Sequence, residues 1–231
     1  MDTIKSKYHE TLAATVIKNL EKRQMEGYYC PTVEDAEKLA FSFLKDGQTV
    51  SFGGSMTLEE TGMLTALRHD PSIHLIDRST AKTPDETKKM YHDALSSDVY
   101  FMSTNAITTG GELVNIDGTG NRVAALIYGP ETVVILAGMN KIAANVDEAL
   151  SRVHNVATAQ NCIRLDKKTP CAITGACADC LSPDCICNQV VITRRSGIKG
   201  RIKVNVWSNI SSLGGILAIV PLNIMLISKL S

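Results

Sequence analysis

Residues 48–77, QTVSFGGSMTLEETGMLTALRHDPSIHLID, decide the fold. QTVSFG is a short apolar run, GSMTLEETGMLTALRH has helical periodicity, and SIHLID is a second apolar run. Two short strands joined through one helix with tight links make a strand–helix–strand unit. The rhythm continues downstream. PDETKKMYHDALSS reads as a helix with Pro84 suited to its first turn, and DVYFMS as a strand. TVVILAG is a fourth strand, followed by the helical pattern NKIAANVDEALSRVHNVA. Such alternation predicts α/β architecture with a largely parallel sheet flanked by helices. Crossovers should be right-handed and ligand sites should lie at the carboxyl ends of the strands.

Upstream, Ile4, Tyr8, Leu12, Val16 and Leu20 mark an amphipathic helix running to about Met25 and closed by Gly27. Tyr28-Tyr29-Cys30 reads as a short strand. Thr32 caps the next helix, VEDAEKLAFSFL, with Asp35 in a near capping-box position. One stretch breaks the alternation: residues 104–130 hold five glycines and an Asp117-Gly118 turn signal. ELVNI and RVAALIY on either side of that turn predict an inserted antiparallel β-hairpin. The chain thus divides into an N-terminal helix (1–26), an α/β domain (27–206) that includes a cysteine-rich segment (169–188), and a hydrophobic tail (207–231).

The 231 residues are 44% hydrophobic and 21% charged, enough to bury one substantial core. Twenty-four basic and twenty-four acidic residues cancel, so no long-range field favours nucleic acid or an anionic membrane. Arg194, Arg195, Lys199, Arg201 and Lys203 form a basic run that reads as a solvated turn and strand flank. The N-terminus lacks the apolar core and cleavage site of a secretory signal. Seven cysteines is an odd count for a disulfide framework, which favours a reducing cytoplasm.

Three groups of residues are candidates for chemistry. Gly53-Gly54-Ser55-Met56-Thr57 lies between a strand and a helix, where glycines admit a ligand to the backbone and hydroxyls donate to it. A tight capped turn without a ligand explains the same residues. Asn115, Asp117, Asn121 and Arg122 gather polar side chains around Gly118 and Gly120, with Glu112 and Arg122 facing a substrate or each other. Asx turns and an ordinary ion pair are the bland alternative. Lys141 follows TVVILAG at a predicted helix start, where a cation opposes the helix dipole and a bound anion would offset the repulsion. The histidines His9, His69, His74, His92 and His154 show no ligand spacing.

The third group is TPCAITGACADCLSPDCICN (169–188), with cysteines at 171, 177, 180, 185 and 187. Cys177 and Cys180 form a C-x2-C pair able to aim two thiolates at one metal, and Ser182-Pro183-Asp184 bends the chain back. The spacing matches neither a bacterial ferredoxin nor a double C-x2-C zinc ribbon. An iron–sulfur cluster or zinc ion, a thiol–disulfide role and passive thiols all remain open at this level.

Three stretches, FGGSMTLEETG, STNAITTGGELVNIDGTGNRVAALIYGPETVVILAGMNKI and TPCAITGACADCLSPDCICN, resemble the LUD-domain family, named for lactate utilisation. The resemblance covers about residues 5–204. It implies a Rossmann-like α/β fold similar to the NagB/RpiA/CoA-transferase-like superfamily of sugar-phosphate isomerases and CoA transferases. It also implies a part in oxidising lactate to pyruvate, a small anionic substrate, and iron–sulfur partner proteins. Gly53, Gly54, Ser55, Asn115, Asp117, Gly118, Asn121, Arg122, Asn140 and Lys141 match the family's pocket-like motifs; Thr57 adds a hydroxyl beside them. The family's usual non-cysteine at position 185 makes Cys171, Cys177, Cys180 and Cys187 the metal set. On this reading Arg122 and Lys141 pair with the substrate carboxylate. Two other readings stand beside it: a transferase or isomerase with Glu112 as nucleophile or base, acting on acyl-CoA or phosphorylated substrates, and a thiol-based regulatory module.

The chain departs from the family after GRIKVNV. Val204 to Ser228 carries no charge, and its continuously apolar part, Leu213 to Ile227, falls short of the ~20 residues a membrane helix needs. A packed or exposed greasy tail is expected in preference to a membrane anchor.

Overall fold

A computed structural model describes residues 3–208. The chain runs α1 (Thr3–Lys22), β1 (Glu26–Cys30), α2 (Val33–Phe41), β2 (Thr49–Phe52), α3 (Met56–Glu60), α4 (Met63–His69), β3 (His74–Ile76), α5 (Pro84–Ala94) and β4 (Val99–Met102). It continues β5 (Ala106–Thr108), β6 (Leu113–Asp117), α6 (Asn121–Ile127), β7 (Thr132–Gly138), β8 (Ile142–Ala143) and α7 (Val146–Arg152). A π turn (Val153–Thr158) joins α7 to α8 (Ala159–Arg164), and α9 (Pro170–Thr174), β9 (Gln189–Thr193) and β10 (Ile202–Trp207) follow.

Six strands form one sheet in the order β1-β10-β7-β4-β2-β3, every pair parallel. The expected α/β architecture with a parallel sheet is present. Parallel strands need helices on both faces, so their central strands are apolar throughout rather than alternating. In β7, Val133, Ile135 and Ala137 join the cluster under α1, with Leu20, Tyr100, Met102 and Val204. Val134 and Leu136 point the other way, into the cluster with Ala36, Ala40, Leu58, Leu67 and Phe101. The period-2 geometry of the strand thus feeds two cores from one run of sequence.

Helix boundaries follow their capping chemistry. Thr32 accepts from the backbone N of Asp35 (3.1 Å) and Thr83 from that of Glu86 (3.2 Å), with Pro84 next to that cap. Gly62, at φ +79°, splits the expected single helix after β2 into α3 and α4. The first helix ends at Lys22, short of Met25, and Gly27 lies inside β1. A Cβ there would stand 3.0 Å from Ile17 Cα and Leu20 Cδ1, so the glycine lets α1 settle on the strand. Ala13, Val16 and Leu20 of α1 are fully buried in the domain's own core.

The inserted hairpin exists, but with a different partner. β6 pairs antiparallel with β5, not with RVAALIY, which forms α6. Asp117-Gly118 leads from strand into helix; the hairpin turn is the Thr109–Glu112 stretch. There Gly111 takes φ +88°, and a Cβ would lie 2.8 Å from the Asn19 carbonyl carbon. β8 and β9 complete a four-stranded second sheet, in the order β8-β5-β6-β9. Lys141 closes a 3-10 turn (Met139–Lys141), and α7 starts only at its Asn145 cap, so the predicted helix dipole is absent at Lys141.

The basic run is also not wholly solvated. Arg201 is buried and donates to the carbonyls of Pro130, Leu126 and Ala125, closing the C-terminal end of α6. Lys203 pairs with Glu26. Trp207, assigned above to the tail, belongs to β10 and pairs with Cys30 and Gly138. The remaining tail, 209–231, lies outside the described residues. Among the described residues no helix is long and apolar enough to cross a membrane.

Candidate functional site

A cavity of about 740 Å³ opens at the carboxyl ends of the sheet strands. Its floor comes from the segments that leave β2 (Gly54, Ser55, Thr57), β4 (Ser103, Thr104, Asn105) and β7 (Asn140, Lys141). Arg78 enters from the turn after β3, and Asp117, Gly118, Asn121 and Arg122 from the β6–α6 turn. Arg152, Thr158, Asn161 and Arg164 close one side, and Asp184, Cys185 and Ile186 from the cysteine-rich segment another. The α7–α8 π turn lets Thr158 reach this wall.

Nine predicted residues line the cavity: Gly54, Ser55, Thr57, Asp117, Gly118, Asn121, Arg122, Asn140 and Lys141. Three do not. Gly53 lies beneath Arg122, whose Cγ and Cδ would stand 3.0 Å from a Cβ there. Asn115 is fully buried behind the cavity and accepts from Arg122 and from the backbone N of Asn105. Glu112 sits at the hairpin turn, accepting from Arg23 and Thr108. It faces neither a substrate nor Arg122.

Arg122 is spent on the protein. Its Nη1 donates to Ser103 O (3.1 Å) and Asn115 Oδ1 (2.6 Å), and its Nη2 to Asn105 Oδ1 (3.0 Å) and Ile116 O (2.8 Å). Nε pairs with Asp117 Oδ2 at 3.3 Å. Asp117 Oδ1 accepts from the backbone N of Thr119 and Gly120. Burial presses the Arg122 pKa down and the Asp117 charge opposes the shift; an arginine stays cationic nonetheless. Every guanidinium donor is used, so the predicted pairing with a substrate carboxylate has no donor left to make it.

The other cavity-lining cations, Lys141, Arg152, Arg78, Arg164 and Lys167, make no ion pair with a carboxylate among the described residues, and the first three gather around the floor. Lys141 Nζ donates to Thr57 Oγ1 (2.8 Å) and Ser103 Oγ (2.6 Å). Burial, reinforced by Arg152 and Arg122, lowers its pKa to about 8 against a weak pull from Glu60. Arg152 donates only to backbone carbonyls, those of Asn140 (3.1 Å) and Asn105 (2.6 Å). Arg78 lies over Gly54, where any Cβ would collide with Nη2, and holds itself by stacking on Tyr91 and donating to its hydroxyl (3.1 Å). Cations outnumber the lining carboxylates Glu60, Asp117 and Asp184, and an excess of unpaired cations raises the positive potential of the cavity. Sequence reasoning missed Arg78 and Arg152. Arg78 follows a strand's carboxyl end, a readable signal; Arg152 sits in the last turn of α7, where a basic residue suits the helix dipole and gives no sign of a cavity.

The four cysteines expected to act together are not gathered around one point, although Cys185 links Cys180 to Cys187 and Cys162 adjoins Cys171. Cys171 is buried with Cys162 and shares a 3.3 Å contact with Thr169 Oγ1. Cys177 Sγ lies 3.7 Å from His154 Nδ1, and Cys180 Sγ 3.5 Å from Ser182 Oγ. Cys187 packs against the small core under the second sheet, where burial lifts its thiol to about 12. Among the described residues no group of three or more His, Cys, Asp or Glu side chains is placed to hold a metal ion. The donor set as folded does not fit one metal or cluster. All seven cysteines are free thiols.

A parallel α/β sheet carries this cation-lined cavity at its carboxyl edge, the place where such sheets hold their ligands. The LUD domain model matches residues 13–206, and the chain belongs to that family, which is linked to lactate utilisation in general. Among solved structures it is similar to a DUF162 family protein from Deinococcus radiodurans, with 10% identity and a TM-score of 0.48, covering 87% of this chain and 98% of that one. It is also similar to ribose 5-phosphate isomerase A from Methanocaldococcus jannaschii (19%, TM-score 0.32, 50% and 55% covered). For eIF2B delta from Chaetomium thermophilum the values are 20%, 0.31, 46% and 47%. No curated relative matches the chain.

Proposed function

We propose that this chain is a cytoplasmic component of lactate utilisation that binds a small 2-hydroxy or 2-oxo carboxylate in the cavity between Arg78, Lys141 and Arg152. The observation that carries the reading is the absence of any carboxylate partner, among the described residues, for those three cavity-lining cations. A carboxylate would accept from the Arg78 and Arg152 guanidinium groups, while Lys141, Thr57, Ser103 and Asn140 stand toward the hydroxyl or carbonyl at C2. Oxidation of lactate to pyruvate releases two electrons and two protons. The electron acceptor is an iron–sulfur partner protein, which the family's link to lactate oxidation favours. The cysteine-rich segment, whose Asp184, Cys185 and Ile186 line the cavity, is the nearest surface for that partner.

Isothermal calorimetry with lactate and pyruvate tests the pocket. Binding to the wild type that weakens roughly tenfold or more in Arg78→Ala and Arg152→Ala supports it, since a charge-assisted hydrogen bond is worth about 1.5–3 kcal/mol. Equal binding to all three proteins sinks it.

A further inference from the structure

We infer that Lys141 captures a 2-oxo acid covalently, as an imine between its Nζ and the C2 carbonyl. The inference rests on the carboxylate-binding reading of the cavity and deepens it. Lys141 lines the cavity and makes no ion pair among the described residues; Glu60, on the same lining, is the last and smallest of the influences on its charge. Its Nζ is fixed between two hydroxyl oxygens, Thr57 Oγ1 at 2.8 Å and Ser103 Oγ at 2.6 Å. A neutral amine has two hydrogens and one lone pair. With both hydrogens donated to those hydroxyls, the lone pair is the group left for a ligand. The neighbouring cations and burial favour this neutral form, giving a pKa of about 8 against 10.5 for an ordinary lysine. At neutral pH that difference leaves on the order of a hundredfold more free amine than on a surface lysine. Buried amines beside other cations become nucleophiles for the same reason.

The chemistry balances without an oxidant or reductant. The Nζ lone pair forms a bond to C2 as the carbonyl π bond breaks, and a proton passes from nitrogen to the new alkoxide. The resulting carbinolamine loses its hydroxyl and the second nitrogen proton as water, leaving the neutral imine. Arg152, which contacts the Asn140 and Asn105 carbonyls beside Lys141, is the cation available to the substrate carboxylate. A 2-hydroxy acid has no carbonyl and binds there only reversibly, so the site separates the two members of one redox couple.

The test treats the full chain with pyruvate and borohydride and maps the reduced N-carboxyethyl group by peptide mass spectrometry; calorimetry follows lactate on untreated protein. The expected result is labelling at Lys141 roughly tenfold or more above exposed lysines such as Lys7 and Lys89, with excess lactate suppressing it. Lactate binding without preferential Lys141 labelling overturns the imine and leaves the carboxylate pocket standing. Labelling at Lys141 without lactate binding keeps the imine and overturns the wider pocket reading. Neither binding nor labelling overturns both.

Discussion

Arg122 Nε lies 3.3 Å from Asp117 Oδ2, both side chains about nine-tenths buried, and this pair locks the turn that carries β6 into α6. The same guanidinium ties that turn to Ser103 and Asn105 beyond β4. It therefore shapes the cavity wall without offering a donor to what the cavity holds. Removing one member of a buried pair strands the other, at about 3–5 kcal/mol. Arg122→Ala should lose roughly that much stability in urea unfolding. An Arg122→Ala protein as stable as wild type would show that the network contributes nothing.

A side chain at Gly54 would have to push the Arg78 guanidinium aside, because Arg78 occupies the space a Cβ would take. Gly54→Ala is expected to displace the guanidinium from Tyr91 and to weaken pyruvate binding about as much as Arg78→Ala, roughly tenfold. Calorimetry on the two single variants and the double variant checks the coupling. Fully additive losses would mean that the two residues act separately.

Lys141 gives stability a pH dependence whose sign is unusual for a lysine. Its folded pKa of about 8 lies below the 10.5 of an ordinary lysine, so between those values the unfolded chain binds the extra proton. Stability therefore rises with pH through that window, and the cost of burying the charge is fully present below about pH 8. Cys30, whose thiol is raised to about 11 chiefly by burial, pulls the other way above about pH 9. The comparison must thus be between wild type and Lys141→Met at each pH. The variant's advantage in urea midpoint should be largest below pH 8 and shrink toward pH 10; a constant difference would refute the assignment.

Arg201 closes α6 by donating to three carbonyls at and just beyond its last turn. Charge-assisted hydrogen bonds contribute about 1.5–3 kcal/mol each and are not additive. Arg201→Ala should cost about 2–4 kcal/mol by thermal or urea denaturation. Arg201→Lys should recover only part of it, since an ammonium cannot span the three acceptors. A loss below about 0.5 kcal/mol, the usual range for an exposed arginine, would place Arg201 outside the fold.

Glu112, paired with Arg23 and Thr108 away from the cavity, should behave as a structural residue. Glu112→Gln is expected to lower stability by about 1–2 kcal/mol while pyruvate affinity changes less than about twofold. Loss of binding with unchanged stability would return it to the list of substrate contacts.

The parallel α/β sheet was legible in residues 48–77 and in TVVILAG because local periodicity and unbroken apolar runs report how many faces a strand must bury. So were the Thr32 and Thr83 caps, whose chemistry is confined to three consecutive positions. The cavity-lining place of the loop after β2 was legible because strand carboxyl ends and short βα links are written in order along the chain.

What only the tertiary structure decided were choices between distant partners of equal local merit. RVAALIY suits a strand as well as a helix, and the place beside β6 goes to β5 and β9 instead. Arg122, an evident substrate ligand by motif, is consumed by Asn105, Asn115 and Asp117, whereas Arg78 and Arg152 are left with no carboxylate among the described residues. The cysteines follow the same logic. Spacing brings five of them close in sequence, yet Cys171 turns to Cys162 and Cys177 to His154. Sequence determines which groups exist and what local structure they favour. Folding determines which charges are neutralised, because that depends on whichever opposite charge or carbonyl the chain returns to the same few ångströms.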